Sequence, residues 1–390
     1  MRNKGAHRMR KLFLIGSLML LTAIAGDVQA QIEVKTNSGA APEFASSVSC
    51  AKCHLDIYNY WKDSLHAGAL SDYIFQAAFM IALKDKGDGV RRVCLDCHAP
   101  VTLVNDDVML EQPISTEAIT CDFCHRIANV DLGRGENTVT LTAGKEKYGP
   151  LKPQGSADSH PSVQSNLFED SKFCATCHQW NNEQGVAIFD TYREWSVGRY
   201  AEKGVHCQDC HMPLVEGALV TGKPRKPGER INSHNLSGGH SIVQVASAAT
   251  VKIVSVDRVA GGLHVVVEVS NVGSGHMIPT GIPSRALVLE VQLLDARGNV
   301  VETERYTFRK IVLDSQHNEI TVDADIILNG ALISKDNRIP PGATVSIPFD
   351  FAASQQQNYL VRALLRYTYK PLVLKEEEIN IEMGSDAKRP

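Results

Sequence analysis

No cysteine of this 390-residue chain stands outside five short clusters. That leaves no thiol for a disulfide, a separate zinc site or a catalytic nucleophile. Beyond residue 30 no apolar run is long enough to cross a bilayer, which excludes a transmembrane helix after the amino terminus. An excess of basic charge is also missing. The formal net charge is −4, so nucleic acid is not an expected partner. The clusters begin 44, 27, 53 and 33 residues apart; the lack of a fixed period excludes a solenoid. Aromatic residues are scarce at 6%, although hydrophobic content is an ordinary 43%.

The five clusters are the same unit: Cys50-Ala-Lys-Cys53-His54, Cys94-Leu-Asp-Cys97-His98, Cys121-Asp-Phe-Cys124-His125, Cys174-Ala-Thr-Cys177-His178 and Cys207-Gln-Asp-Cys210-His211. C-x-x-C-H is the attachment motif of c-type haem. Two intervening residues let both thiols add to one porphyrin edge, and the adjacent histidine then lies under the iron as proximal ligand. Structural zinc needs pairs of C-x-x-C units, which leaves one of five over, and a thioredoxin-like pair gives no reason for five following histidines. The expected cofactors are five covalent c-type haems, which also fill interior that aromatic side chains do not.

Residues 1–30 read as a secretory signal peptide: Arg2, Lys4, Arg8, Arg10 and Lys11, an apolar stretch from Leu12 to Ala25, and the small-residue site Val28-Gln29-Ala30. Cleavage takes five basic residues and one acidic residue with it, so −4 becomes −8. The expected location is the periplasm or cell exterior, without a transmembrane segment after cleavage. An acidic chain implies redox partner proteins with a basic docking surface.

The expected fold class is α+β. A haem-packed cytochrome domain of short helices and long loops occupies 31–245, and an immunoglobulin-like β-sandwich occupies 246–385. Residues 31–49 read as an extended or disordered lead, with order starting at the first motif. Ile57, Tyr58, Trp61 and Leu65 have helical spacing, and Tyr73 to Leu83 reads as a second helix. Residues 133–166, with Gly133, Gly135, Gly149, Pro150, Pro153, Gly155 and Pro161, read as loop. Lys223, Arg225, Lys226 and Arg230 make a basic loop, either solvated or serving in docking or in pairing with a haem propionate. From Ser247 the period becomes two, as in Val265, Val267 and Val269, then Leu287, Leu289, Val291 and Leu293, then Val345, Ile347, Phe349 and Phe351, then Val361, Ala363, Leu365, Tyr367 and Tyr369. Six or seven strands in that stretch suggest the sandwich.

Eight histidines outside the motifs and signal compete for five distal positions. Along a helix His66 would lie about 18 Å from His54, so as a ligand it serves a neighbouring haem; the alternative is a helix-surface residue. His234 and His240 flank a Gly238-Gly239 loop free enough to bring a side chain over a ring. His160 and His276 sit in loops pinned by proline and glycine, as ligands or in solvent. His264 and His317 read as surface residues, and His206 as constrained by its neighbour Cys207. Met212 and Met277 are thioether candidates.

Cys50 to Ala69, with Trp61, Ser64, His66 and Ala67, resembles the opening of the multihaem cytochromes grouped with the tetrahaem electron acceptor of hydroxylamine oxidoreductase (cytochrome c-552/c-554-like). His160-Pro-Ser with Phe173-Cys174, Cys207 to Pro213, His234 to His240, and Gly275-His276 with Pro279-Thr-Gly281 resemble the same family. The resemblance implies His66, His160, His234, His240 and His276 as distal iron ligands. Related pentahaem nitrite reductases carry lysine in place of one motif histidine, and here every motif ends in histidine. The expected function is electron transfer through closely packed, mostly bis-histidine haems, with no catalytic residue assigned. The alternatives are a reductase or oxidase of a small nitrogen or sulfur compound at one five-coordinate haem, and a subunit of a cell-surface cytochrome complex or filament.

Overall fold

The computed structural model describes residues 32–39, 41–133, 137–153, 160–223, 227–371 and 378–390. The expected signal peptide lies outside them, as do Gly135, Gly155, Arg225 and Lys226 of the loops. Among the described residues no helix is long and apolar enough to cross a membrane.

The amino-terminal half is built of short helices joined by turns. Leu55–Lys62, Tyr73–Lys86, Arg91–His98, Cys121–His125, Lys172–His178 and Cys207–His211 are the ones that place the motifs. Tyr73–Lys86 starts where the Asp72 carboxylate accepts the Phe75 N–H at 2.9 Å, an N-cap. It stops at Gly87, whose φ of 72° a side chain rarely adopts.

Three expectations need correction here. The lead is not disordered throughout: Ile32–Thr36 is a strand, parallel to Asn137–Leu141, and a helix follows at Ser47–Ala51. Ile32 is buried and Val34 packs beside it against Val130, Val139 and Leu141, an alternation too short to stand out among polar neighbours. The loop expected over 133–166 contains that central strand, which also pairs antiparallel with Ile127–Leu132, and a second ladder, Lys147–Gly149 with Ser162–Gln164. Finally, the first helix ends at Lys62, so His66 is not helical. It lies in a turn where Ser64 Oγ accepts the Ala67 N–H at 3.2 Å, while Leu65 is exposed.

In the carboxy-terminal half the period-two segments are strands. One antiparallel sheet has the order Ala249–Val259, Gly262–Asn271, Thr344–Ala352; the other has Val300–Phe308, Arg285–Leu294, Leu360–Tyr369, Ile379–Lys388. Val265, Val267, Val269, Leu287, Leu289, Val291, Leu293, Ile347, Phe349, Phe351, Val361, Ala363 and Leu365 belong to one buried cluster fed by both sheets. Each such side chain contributes about 1.5–3 kcal/mol of burial. A one-residue slip would turn a whole face outward, so the pattern fixes the register.

The two halves share a wide seam. Ile188 is fully buried within the cluster of the β region. Asn182 Nδ2 donates to Gly330 O at 2.6 Å, Lys310 Nζ to Ala187 O at 3.1 Å, and Tyr200 Oη to Val272 O at 3.2 Å. Ala82 and Val90 pack against Ala324 of the helix Asp323–Asn329. Inside the seam Arg338 pairs with Glu194 at 2.6 Å and with Asp336 at 2.7 Å.

Candidate haem-binding sites

In four motifs the second cysteine and the histidine complete a short helix, ending at His98, His125, His178 and His211. A helical turn puts residues three apart on one side, so both thiols of each motif face the same way. In the first motif the helix Ser47–Ala51 ends just before Cys53, and the Cys53 and His54 N–H groups both donate to Cys50 O. The third motif is the most firmly held. Its helix is capped by Thr120 Oγ1, which accepts the Phe123 N–H at 3.1 Å. Its Asp122 accepts from Arg126, Lys147 and the Ala45 N–H.

The motif histidines are oriented by main-chain carbonyls. His54 Nδ1 donates to Leu219 O at 2.7 Å, His98 to Ala69 O at 2.9 Å, His125 to Tyr148 O at 2.6 Å and His211 to Ser237 O at 2.5 Å. A carbonyl only accepts, so in each case Nδ1 carries the proton and Nε2 keeps its lone pair for a metal. Sequence reading missed these four partners. Any residue type offers a carbonyl, so no side chain marks it.

Four of these histidines face a second histidine. Ring centroids are 6.3 Å apart for His54 and His160, 6.3 Å for His178 and His66, 6.4 Å for His125 and His234, and 6.4 Å for His211 and His276. Two metal–imidazole bonds of about 2 Å each, plus the two ring radii, span about 6 Å, so one iron fits between each pair. Three of the second members show the same tautomer: His234 Nδ1 donates to Asn232 O at 2.8 Å, His276 to Met277 O at 2.9 Å and His160 to Pro161 O at 3.2 Å. Burial, reinforced by neighbouring histidines, lowers His66 to about 3 and His178 and His234 to about 4. Burial also lowers His98, His125 and His276. The neutral imidazole so favoured is the form that binds metal.

His98 differs. Among the described residues the ring against it is that of Phe75, stacked at 3.9 Å. The remaining candidate, His240, is exposed, and its Nε2 lies 3.5 Å from Arg285 Nη2; the structure pairs it with no motif histidine. His206 takes the Ser171 N–H on Nδ1 at 3.1 Å, a structural role. His264 bonds Asp350 across two strands at 2.7 Å, and His317 occupies an exposed turn at φ 64°. Met212 and Met277 take part through their carbonyls, toward Asn232 and His276.

Thiols of different motifs lie near enough to act on one another: Cys50 and Cys121, Cys97 and Cys177, and Cys174 and Cys207. Cys124 lies close enough to act on Cys174. The five sites therefore form one connected cluster, first to third to fourth to fifth, with the second branching at the fourth.

Residues 49–126 match the family described as cytochrome c554 and c-prime. Among solved structures, a penta-heme cytochrome c552 from Thermochromatium tepidum aligns with a TM-score of 0.72 and 23% identity, covering 89% of this chain and 99% of that one. A putative beta-galactosidase from Bacteroides fragilis aligns at 12% identity over 36% of this chain and 17% of its own, with a TM-score of 0.19, too slight to say anything about this chain. None of the curated proteins matches it. The five motifs, the family match over the first three and the fold shared with a penta-heme cytochrome together support covalently bound c-type haem. Residues 49–126, which span the first three motifs, are thus similar to cytochrome c554 and c-prime.

Proposed function

We propose that the chain is an exported pentahaem electron carrier. Haem supplies the one-electron couple; the chain's own residues fix each group and choose which irons stay closed. Cys50, Cys53, Cys94, Cys97, Cys121, Cys124, Cys174, Cys177, Cys207 and Cys210 hold five haems, and His54, His98, His125, His178 and His211 are the proximal ligands. His160, His66, His234 and His276 close the sites of His54, His178, His125 and His211. The observation that carries this reading is the four imidazole pairs at 6.3–6.4 Å. Closed irons exchange electrons without binding substrate, and the touching motifs keep successive haems close.

The same reading places residues 31–245 as the haem domain and 246–385 as an immunoglobulin-like sandwich that docks on it and lends His276. It locates the protein in the periplasm or cell exterior, meeting partners that offer a basic surface. A second reading, a small-molecule reductase, is favoured by one observation: His98 faces Phe75 and no histidine among the described residues. Electron paramagnetic resonance of the oxidised protein tests both. Four low-spin irons and one high-spin iron, with carbon monoxide binding to one haem in five after reduction, are expected. Five low-spin irons would remove the open site, and two or more high-spin irons would break the carrier reading.

A further inference from the structure

Around Arg285 the chain gathers polar groups that the ligand pairs do not use. Tyr367 is only 5% exposed, and its Oη has no hydrogen-bond partner among the described residues. Arg285 Nε is buried and equally unmatched. The guanidinium lies over the Tyr369 ring at 5.5 Å, with Nη1 3.4 Å from Thr280 O and Nη2 3.5 Å from His240 Nε2. Among the described residues no carboxylate pairs with it. The nearby acid, Asp323, is taken up by the Tyr369 and Ser284 hydroxyls, each at 2.5 Å.

Two glycines let the backbone pack close against these groups. A Cβ on Gly239 would stand 2.8 Å from Arg285 Nη1 and 3.4 Å from Tyr367 Oη, and one on Gly281, at φ 86°, would stand 2.9 Å from Nη1. A side chain at either position would collide with the guanidinium, so both glycines hold it in place. The charges around the cluster reach two motif histidines. The Asp72 carboxylate acts on both His98 and His240, against the burial that lowers each, and the Arg285 charge adds to the burial that lowers His178. A buried phenol and a buried guanidinium nitrogen are each costly to leave without a partner. A negatively charged oxygen group bound there would recover that cost and more.

We propose that Tyr367, Arg285 and His240 form a binding site for an anionic oxygen group, either a haem carboxylate or a small free oxyanion; its placement beside a haem rests on the function proposed above. Tyr367→Phe and Arg285→Gln in the full-length, haem-loaded protein test it, with haem content and circular dichroism checking the fold. Nitrite is titrated against the oxidised visible spectrum, and the haems are titrated potentiometrically. If the site takes a free oxyanion, the nitrite Kd rises about tenfold in each variant, the worth of one charge-assisted hydrogen bond. If it takes a haem carboxylate, nitrite behaves alike in all three proteins. The potential of one haem then falls in the variants, because an uncompensated carboxylate favours ferric iron. Unchanged nitrite affinity together with unchanged potentials overturns the proposal. So does an added high-spin iron in His240→Ala, which would make His240 a ligand instead. Five low-spin irons in the wild type would overturn the open-haem reading alone, leaving this site to the potential shift.

Discussion

Asp122, an inner residue of the third motif, has no exposed side-chain surface, yet it is charged and holds three partners. Its carboxylate pairs with Arg126 at 3.3 Å and with Lys147, and accepts the Ala45 N–H at 2.7 Å. Arg126 in turn donates to Gly144 O at 2.6 Å and Glu43 O at 2.7 Å, so one buried pair ties the motif to the chain before the first motif and after the third. Asp122→Ala would leave Arg126 buried without its counter-charge, at a cost of about 3–5 kcal/mol. Denaturant unfolding of the full-length protein should show that loss, with part recovered by Arg126→Met in the same chain. A loss under about 1 kcal/mol would mean the pair is no better than a surface one. The distal histidines give a second test at this scale. His234→Ala should convert one low-spin iron, that of His125, to high spin without losing a covalent haem. A spectrum identical to wild type would remove His234 from the ligands.

What could be read from the sequence divides along chemical lines at this scale. Covalent attachment demands particular atoms at particular spacing, so Cys50 to His211 were legible as five units. The pairing of His66 with His178, two motifs away, is set by tertiary packing and was not. Neither was the helix end at Lys62, since Trp61 and Leu65 continue a helical spacing that the turn around Ser64 interrupts. Phe75, Arg285 and Tyr367 carry no motif at all; their position follows only from where the Asp72 helix and two strands come together.

Elements meet at the seam through the Arg338 pairings. Glu194 lies on the helix Thr191–Ser196, and Asp336 ends the strand Leu332–Asp336. Arg338 and Glu194 side chains are each 4% exposed. Burial pushes the Asp336 carboxyl up, but the hydrogen bonds and charge of Arg338 more than reverse it and hold the carboxyl below its usual range. A carboxyl depressed in the folded state adds stability above its unfolded pKa, about 3.9, and loses that contribution as pH falls through the folded value. Asp336→Asn should therefore lower the unfolding midpoint at pH 7, and the gap from wild type should close as the solution is acidified below about pH 4. A gap that stays constant with pH would assign the loss to packing. The strands themselves were legible from the sequence because alternation is a local pattern. The strand Ile379–Lys388 was not, since its apolar alternation is short: Ile379, Ile381 and Met383 are followed by Gly384, Ser385 and Asp386.

Over the whole molecule, the β region is part of the haem architecture and not an appendage. It brings His276 to within 6.4 Å of His211, places Arg285 near His178 and His240, and receives Ile188 into its core. Thr280 joins the two halves again, meeting Thr191 at 2.8 Å and donating to Glu194 at 2.7 Å. Covalent attachment needs only the motifs, whereas the proposed closing of the fifth site by His276 needs a loop that lies beyond residue 245. A chain ending at Val245 should therefore retain every covalent haem by mass spectrometry after acid denaturation. One further iron should turn high-spin, and carbon monoxide should bind one additional haem on reduction. His276→Ala in the full-length protein should give the same spectroscopic change with the seam intact, which separates the missing ligand from general loosening of the truncated chain. Unchanged spin states in both proteins would show that His211 is closed from the haem half alone, and the 6.4 Å pair would then be packing and not ligation.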